Sequence, residues 1–364
     1  MVLELGTIIA GPFSGSLLAE LGATVIKVES PGGDGLRRMG PVSGANSVWW
    51  GASSRNKHCI TLDLKSESGR DFLKQLIMKA DVLTENYRPG VLEKLGFSQE
   101  ILSSLNRSLV VLRISGYGQD GPWSKKPGFG KIAEGLSGVA TLTGKQNGVP
   151  TFMGFSLADT SAGLFGAFGV VAALLQPNRE QTVHVDVALY EPLLRMLEVS
   201  FNLQKSTRRG TNGPLTWGVG TKAVNVFLQT SDSCWIQVTD SDDILGAQPW
   251  CGAVNGSKTW FKTSLSSAAA VQQLSELGLM HFAVHDGLST VRSEYFRARE
   301  DVLEVDVAGE KIATVGFVPK GYGRESHRAF RSAALGEDNR LVAEKFLDID
   351  SNRYEAIKKS GAFG

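Results

Sequence analysis

The sequence lacks the features that identify several classes of protein. Its three cysteines, Cys59, Cys234 and Cys251, are an odd number without close spacing, which argues against a disulfide scaffold or a cysteine-based metal site. Its 38 basic and 37 acidic residues give a net charge of +1, so charge favours neither nucleic acid nor a membrane surface as a partner. The most apolar stretch, Leu164 to Leu175, is shorter than the ~20 residues that cross a bilayer, and it predicts a buried helix. With no signal-peptide pattern in the first residues, we expect a globular, cytoplasmic protein.

Several motifs of catalysis and cofactor binding are also missing. The sequence contains no G-x-S-x-G, H-E-x-x-H or C-x-x-C, and the pair His281 and His285 has no third ligand nearby in sequence. The segment Gly116–Gly121 matches G-x-G-x-x-G, but Pro122 and Trp123 follow it instead of a helix that could take a pyrophosphate. We therefore expect neither a metal nor a permanently bound cofactor.

The first half alternates strands and helices. Val2–Leu5 predicts a strand, Phe13–Leu21 a helix and Ala23–Glu29 a second strand, which together form a βαβ unit with parallel strands. The helical spacing of apolar residues in Ser66–Lys79 and the strand pattern of Leu109–Ser115 continue the alternation. This order predicts an α/β domain with a doubly wound, Rossmann-like parallel sheet.

A chain of 364 residues exceeds what one compact core usually covers, so a second domain is expected. A segment rich in Gly, Arg, Thr and Asn has the composition of a linker, and a mixture of strands and helices follows it. We predict a large domain over 1–205 completed by 325–364, a linker over 206–222, and a small α+β domain over 223–320.

Glycine is the residue in excess, with 42 in the chain, and it concentrates between Gly116 and Gly169. Within that stretch, Asp159 stands near the start of an apolar predicted helix. One interpretation is a capping box, with Ser156 as N-cap and Asp159 three residues later. The other is a carboxylate nucleophile, which is ionised at pH 7 and is kept so by the helix N-terminus. The two interpretations are compatible.

A set of motifs in the same order resembles those of the family III CoA-transferases, which include formyl-CoA and carnitine CoA-transferases and the 2-methylacyl-CoA racemases. The similarity is strong over about residues 1–200 and looser beyond. The motifs are Ala10-Gly11-Pro12, Leu21 to Glu29, Asn56-Lys57 before Thr61 to Leu64, Asp81 to Gly90, and Leu335-Gly336-Glu337.

The resemblance implies an acyl-CoA substrate and a homodimer of two interlocked subunits, with no nucleic acid and no membrane as partner. It also implies that Asp159 is the nucleophile, and that CoA moves through an aspartyl-CoA thioester to a small carboxylic acid. Seven residues match CoA contacts of the family by motif: Leu62, Leu64, Lys65, Asn86, Tyr87, Arg88 and Lys94. The apolar ones suit the adenine and the basic ones the phosphates. Ala10, Phe129 and Lys131 are matched to the neighbourhood of the pantetheine and thioester.

The sequence also departs from the family. Ile9 stands where formyl-CoA transferase has a catalytic glutamine, which disfavours a formyl/oxalate substrate pair. Ser30 replaces a phosphate-binding arginine of several members, a charge that Arg37 or Arg38 could supply. No acid stands at Gly130, which leaves fewer helpers around Asp159, and the histidine that racemases need in the same segment is missing.

We therefore predict a CoA-transferase that uses an acyl-CoA donor and a small carboxylic acid. Two alternatives remain open at this point, an acyl-CoA racemase or epimerase and a non-catalytic CoA-binding paralogue. The retained Asp159 favours the transferase over the binding protein, and the missing histidine favours it over the racemase. A dicarboxylate held by arginines is a further hypothesis, with the candidates Arg37, Arg38, Arg208 and Arg209.

Overall fold

Two compact units make up the computed structural model. The first consists of Met1–Gly213 together with Glu304–Gly364, and the second of Pro214–Leu303. The structure describes residues 1–43, 46–144, 149–177, 179–198, 224–240, 244–254, 260–307, 310–320 and 331–364. The predicted linker 206–222, including Arg208 and Arg209, lies outside these ranges.

A six-stranded parallel sheet forms the centre of the first unit, as the alternation of strands and helices predicts. Its first strand pairs with two others, with Val2 opposite both Val25 and Val82. The strands are β1 (Val2–Glu4), β2 (Val25–Glu29), β5 (Lys57–Thr61), β6 (Val82–Glu85), β7 (Val110–Ser115) and β8 (Val183–Ala188), and short β3 (Val42–Ser43) and β4 (Asn46–Ser47) pair separately. The order β5-β2-β1-β6-β7-β8 reverses direction between β1 and β6. In open α/β sheets, ligands bind outside the carboxyl ends of the strands at such a reversal.

Helices cover both faces of this sheet. They are α1 (Ala10–Glu20), α2 (Val48–Ser53), α3 (Glu67–Lys79), α4 (Val91–Lys94), α5 (Gln99–Leu105), α6 (Gly130–Ser137), α7 (Val139–Thr143), α8 (Leu157–Leu174) and α9 (Glu191–Met196), with a 3-10 turn at Gly35–Arg38. On one face, α3 begins at the N-cap Ser66, whose hydroxyl accepts the Gly69 N–H, and buries Phe72 and Leu76. The C-terminal segment joins the same hydrophobic cluster through Val342 and Tyr354.

The second unit contains a five-stranded sheet of order β11-β12-β9-β10-β13. Strands β9 and β10 form a hairpin, pairing antiparallel around Ser231–Ser233. Between this hairpin and Arg299, three short strands lie among the helices. The elements are β9 (Val224–Gln229), β10 (Trp235–Asp240), β11 (Cys251–Ala253), β12 (Trp260–Thr263), α10 (Ser267–Glu276), β13 (Met280–Ala283), α11 (Gly287–Arg292) and α12 (Glu294–Ala298). Beyond them, β14 (Val302–Val307) and β15 (Glu310–Val315) form a two-stranded sheet, and α13 (Asn339–Leu347) and α14 (Ser351–Lys359) end the chain.

Helix α8 packs closely on the sheet because glycine lines its buried side. A Cβ at Gly163 would lie 2.7 Å from the Ala10 carbonyl oxygen, and one at Gly166 would lie 2.9 Å from a Leu112 methyl carbon. The opposite side is exposed and apolar, with Phe168 72% exposed. By length and hydropathy α8 could cross a membrane, and it is the one such helix among the described residues. It packs on α1, β7 and β8, so the predicted buried helix is buried on that side only.

The close contact predicts opposite effects for two alanine substitutions. Gly163→Ala is expected to destabilise the protein by about 1–3 kcal/mol, because its methyl group meets backbone that must shift. Gly135→Ala is the matched control: the site is in α6, is exposed, and a Cβ there meets nothing within 4 Å. It is expected to stabilise by up to about 1 kcal/mol through helix propensity. Urea denaturation measures both changes, and a stable Gly163→Ala variant would contradict the packing.

Candidate active site

The loop between β1 and α1 lies where the strand order reverses. Gly6 and Gly11 approach so closely that a Cβ on Gly6 would be 2.9 Å from the Gly11 Cα. Asn86, directly after β6, fastens this loop: its Oδ1 accepts the Thr7 N–H (2.6 Å) and its Nδ2 donates to the Thr7 carbonyl (2.8 Å). The amide of Asn86 is thus used to hold the β1–α1 loop at the edge of the crevice.

Four buried charged side chains lie beneath that loop. Glu4 pairs with Lys27 (3.2 Å) and Lys57 (2.7 Å), and Lys27 also pairs with Asp34 (2.8 Å). Burial by itself lowers the pKa of Lys27, but the Glu4 and Asp34 carboxylates outweigh it and raise that pKa. For Lys57, burial dominates and lowers the pKa despite Glu4. Both lysines also donate to backbone carbonyls, Lys27 to Gly6 in the loop and Lys57 to Pro12 in the first turn of α1 (2.7 Å).

Glu29, at the end of β2, has the position of an acid that could bind ribose, but it is occupied within the protein. It accepts two hydrogen bonds from Arg37, both 2.7 Å, and the guanidinium of Arg37 lies 3.7 Å from the centroid of the Trp50 ring. Arg38 is exposed and donates only to the Gly32 carbonyl among its described hydrogen bonds. Of the two arginines, Arg38 is therefore the one available to a phosphate.

The residues matched to CoA contacts lie along one edge of the sheet. Leu62 to Lys65 follow β5 and Asn86 to Arg88 follow β6, three strand positions apart, or about 14 Å. Leu62 is buried in the core, Leu64 and Tyr87 are half-buried, and Arg88 is exposed. Burial raises the pKa of Tyr87 to about 12, so its hydroxyl stays neutral. The exposed cations along this edge are Lys65, Arg88 and Lys94.

Asp159 lies in the first turn of α8 and is half-buried. Ser156 is the N-cap residue, but its side chain makes no capping hydrogen bond, so the capping box does not form. A Cβ at Gly130 would lie 2.1 Å from Oδ2 of Asp159. The glycine therefore makes room for this carboxylate, and an acid could not replace it in this arrangement. Gly163, one turn after Asp159 on the same helix, contacts Ala10, which places Asp159 on the side of α8 that faces the crevice.

The surroundings of Asp159 tune its charge. Burial raises its pKa to about 6, the negative charge of Glu134 adds to the rise, and its own backbone N–H and Lys131 oppose it. A pKa near 6 leaves most of the carboxylate ionised at pH 7.

Phe129, at the N-cap of α6, is 61% exposed. Glu134 is absent from the sequence-based prediction, and the available signal was its i,i+3 spacing to Lys131.

The loop after β7 and the pair His281 and His285 are the remaining sequence motifs of cofactor or metal binding. No helix follows Gly116–Gly121 until α6 begins at Gly130, so this segment does not present a helix N-terminus. The His281 Nδ1 atom lies 2.8 Å from the Leu279 carbonyl oxygen. Among the residues that the structure describes, no three potential metal ligands come together.

Comparison with known proteins assigns the chain to a family. The family model described as CoA-transferase family III matches residues 1–255. The chain belongs to this family. Over 250 residues it is 44% identical to succinyl-CoA–D-citramalate CoA-transferase of Chloroflexus aurantiacus, covering 67% of this chain and 61% of the relative. Over 256 residues it is 40% identical to the beta subunit of succinyl-CoA–L-malate CoA-transferase of the same organism, covering 68% and 62%.

The fold of this family III chain matches that of a solved structure. A CaiB/BaiF family protein from Brucella suis superposes with a TM-score of 0.79 at 24% identity, covering 94% of this chain and 97% of that one. The family identity and the α/β fold with a parallel sheet are thus confirmed. The chain spans about three-fifths of the length of the curated relatives named above.

Proposed function

We propose that this chain is a CoA-transferase that moves CoA from an acyl-CoA donor to a small carboxylic acid. The observation that carries the proposal is the half-buried Asp159 carboxylate, with a pKa near 6, at the side of α8 that faces the crevice. An ionised carboxylate needs no general base to act as a nucleophile. No described histidine stands in the segment from Gly128 to Lys131, which disfavours proton exchange at the α-carbon.

The proposed reaction has four steps. A carboxylate oxygen of Asp159 attacks the donor thioester carbon, the C–S bond breaks, and a mixed anhydride and CoA thiolate form. The thiolate attacks the Asp159 carbonyl carbon, which releases the donor acid and leaves an aspartyl-CoA thioester. The acceptor carboxylate attacks this thioester and forms a new anhydride, and the thiolate then takes the acceptor acyl group. Asp159 is regenerated, and one thioester replaces another of similar energy, so no ATP is required.

The CoA moiety is proposed to lie along the edge from Lys65 to Lys94. Lys65, Arg88 and Lys94 supply charge for the phosphates, with Arg38 as a further candidate, and Leu64 and Tyr87 supply half-buried surface for the adenine. Asn86 and Ala10 shape the crevice through the β1–α1 loop. The named relatives use succinyl-CoA and hydroxylated dicarboxylic acids, which supports a dicarboxylate as one of the two substrates.

We further propose that two copies of the chain form the interlocked homodimer of the family. Apolar residues on α6 and α8 are exposed in the single chain, and burying them against a second copy would remove them from water. The most exposed of them are Phe129, Leu136, Leu164 and Phe168. Light scattering coupled to size-exclusion chromatography measures the mass, and a monomer would contradict this part of the proposal. The cytoplasmic location stays a prediction.

The central test is a search for the covalent intermediate. The protein is incubated with succinyl-CoA, quenched in acid, digested and examined by mass spectrometry for CoA attached to the Asp159 peptide. We expect an adduct in the parent protein and in the exposed-carboxylate control Asp120→Asn, and none in Asp159→Asn. Transfer that persists without Asp159 would reject the mechanism. Deuterium uptake at the α-carbon without CoA exchange would indicate a racemase, and CoA binding without either reaction would indicate a binding protein.

A further inference from the structure

Glu134 is a fully buried carboxylate on α6 with no role in the proposed chemical steps. Its Oε1 and Oε2 accept hydrogen bonds from Lys131 Nζ at 2.8 and 3.1 Å, and Oε2 also accepts the Met153 N–H at 3.2 Å. A buried carboxylate is costly unless such partners compensate it. Glu134 thus has the partners that a buried carboxylate requires, and its charge acts on the proposed nucleophile.

Lys131 connects that carboxylate to the segment that enters α8. Its ammonium donates to the Met153 and Phe155 carbonyls, both at 2.8 Å, and lies 5.7 Å from the centroid of the Phe152 ring. Phe155 directly precedes the N-cap Ser156. Ser156 has no side-chain cap, and the Lys131–Glu134 pair binds Met153 and Phe155 in the segment that leads to the first turn carrying Asp159.

The same two charges act on Asp159 with opposite signs. Glu134 raises its pKa and Lys131 lowers it, after the larger effect of burial. The other titratable side chains on the elements packed against α8 are Glu20 on α1, Arg113 on β7, His184 and Asp186 on β8, and Glu191 and Arg195 on α9. The charges that shift Asp159 are those of Glu134 and Lys131.

We propose that Glu134 and Lys131 are positioning residues: the ion pair between buried Glu134 and partly exposed Lys131 holds the segment leading into α8 and sets the charge around Asp159. The inference rests on the proposed role of Asp159. It changes the assignment of Lys131, which the family resemblance places near the thioester: its ammonium is committed to Glu134 and two backbone carbonyls. Neither residue touches the reacting atoms in this arrangement.

A mutant cycle measured by thermal denaturation tests, without any substrate, whether the two charges act on Asp159. Asp159→Asn is made in three backgrounds: the parent, Glu134→Gln, and the double variant Lys131→Met/Glu134→Gln, and its effect on Tm at pH 8 is measured in each. Glu134→Gln keeps an acceptor for Lys131 but removes the negative charge that opposes its cation. The ionised Asp159 carboxylate is therefore less destabilising in that background. We expect the gain in Tm from Asp159→Asn to be largest in the parent, intermediate in the double variant and smallest in Glu134→Gln. Equal gains in all three backgrounds would overturn the proposal, and the double variant decides it if Glu134→Gln does not fold.

Kinetics test the positioning part. For Glu134→Gln, kcat at pH 8 should stay within a few-fold of the parent, and the acidic limb of the pH profile should move to lower pH. For Glu134→Ala, which also removes the acceptor oxygens, kcat should fall on the order of 10- to 100-fold with KM little changed. An unshifted limb or an unaffected Glu134→Ala would count against the proposal. A chain without transferase activity that still shows the thermal pattern would reject the proposed function and retain this inference.

Discussion

Asp159→Asn is expected to reduce the rate of CoA transfer by about 10³-fold or more, because the amide cannot form the anhydride on which every later step depends. In the parent protein, the rate should follow the fraction of ionised Asp159. With a pKa of about 6, that fraction is close to one at pH 8 and about one tenth at pH 5. Steady-state transfer from succinyl-CoA, measured across this range, gives both the loss and the acidic limb.

The same substitution should leave the fold intact or make it more stable. The folded pKa of Asp159 lies above the unfolded value of 3.8, so its contribution to stability is fully present below pH ~4 and is lost as the pH rises through about 6. Above pH 6 the ionised carboxylate disfavours folding, and a neutral amide in its place removes that effect. We expect Asp159→Asn to have a Tm equal to or higher than that of the parent at pH 8, with the gap closing towards pH 4.

The two measurements together separate chemistry from folding. A variant that loses both transfer and Tm would indicate that Asp159 supports the structure, as a capping residue does. A variant that loses transfer and keeps its Tm would support the nucleophile. Substantial transfer by a stable Asp159→Asn protein would exclude the covalent mechanism. The exposed control Asp120→Asn should change neither quantity.

The elements predicted well are those whose pattern is local. Phe72, Leu73, Leu76 and Ile77 repeat at helical spacing and are all buried in α3. Alternating strands and helices predict a parallel sheet in the first unit, because each helix returns the chain to the edge of the sheet where the preceding strand began. In contrast, β11 and β12 in the second unit are three and four residues long, and β12 pairs with β9 more than 30 positions earlier. Such short, non-local strands leave no period in the sequence to detect.

The candidate site was predictable in part for a similar reason. Asp159 was predicted because an acid near a helix start is visible in sequence and because the family resemblance matches it to the nucleophile. The importance of Gly130 depends on how close a Cβ there would come to Oδ2 of Asp159, which only the tertiary structure shows. Glu134 looks like half of a surface pair with Lys131, and only its burial shows that the charge acts on the nucleophile. Likewise, nothing in the strand pattern of β2 and β5 indicates that Lys27 and Lys57 converge on Glu4.

Lys57→Met should lower the free energy of unfolding by about 3–5 kcal/mol, since it leaves part of the buried charge on Glu4 uncompensated. It also removes the hydrogen bond from Lys57 to the Pro12 carbonyl in the first turn of α1, so the β1–α1 loop should loosen with it. Lys79→Met is the matched control, because its ion pair with Asp348 is exposed and should contribute less than about 1 kcal/mol.

Urea denaturation of both variants provides the measurement, with the midpoint compared at constant slope. A second comparison tests the cause: Glu4→Gln/Lys57→Met removes both partners of the 2.7 Å pair and should be less destabilised than the sum of its single substitutions. A Lys57→Met variant as stable as Lys79→Met would show that Lys27 alone neutralises Glu4. In that case Lys57 would not be what holds the β1–α1 loop beside Asn86, and the hydrogen bonds from Lys27 to Gly6 and between Asn86 and Thr7 would carry that role.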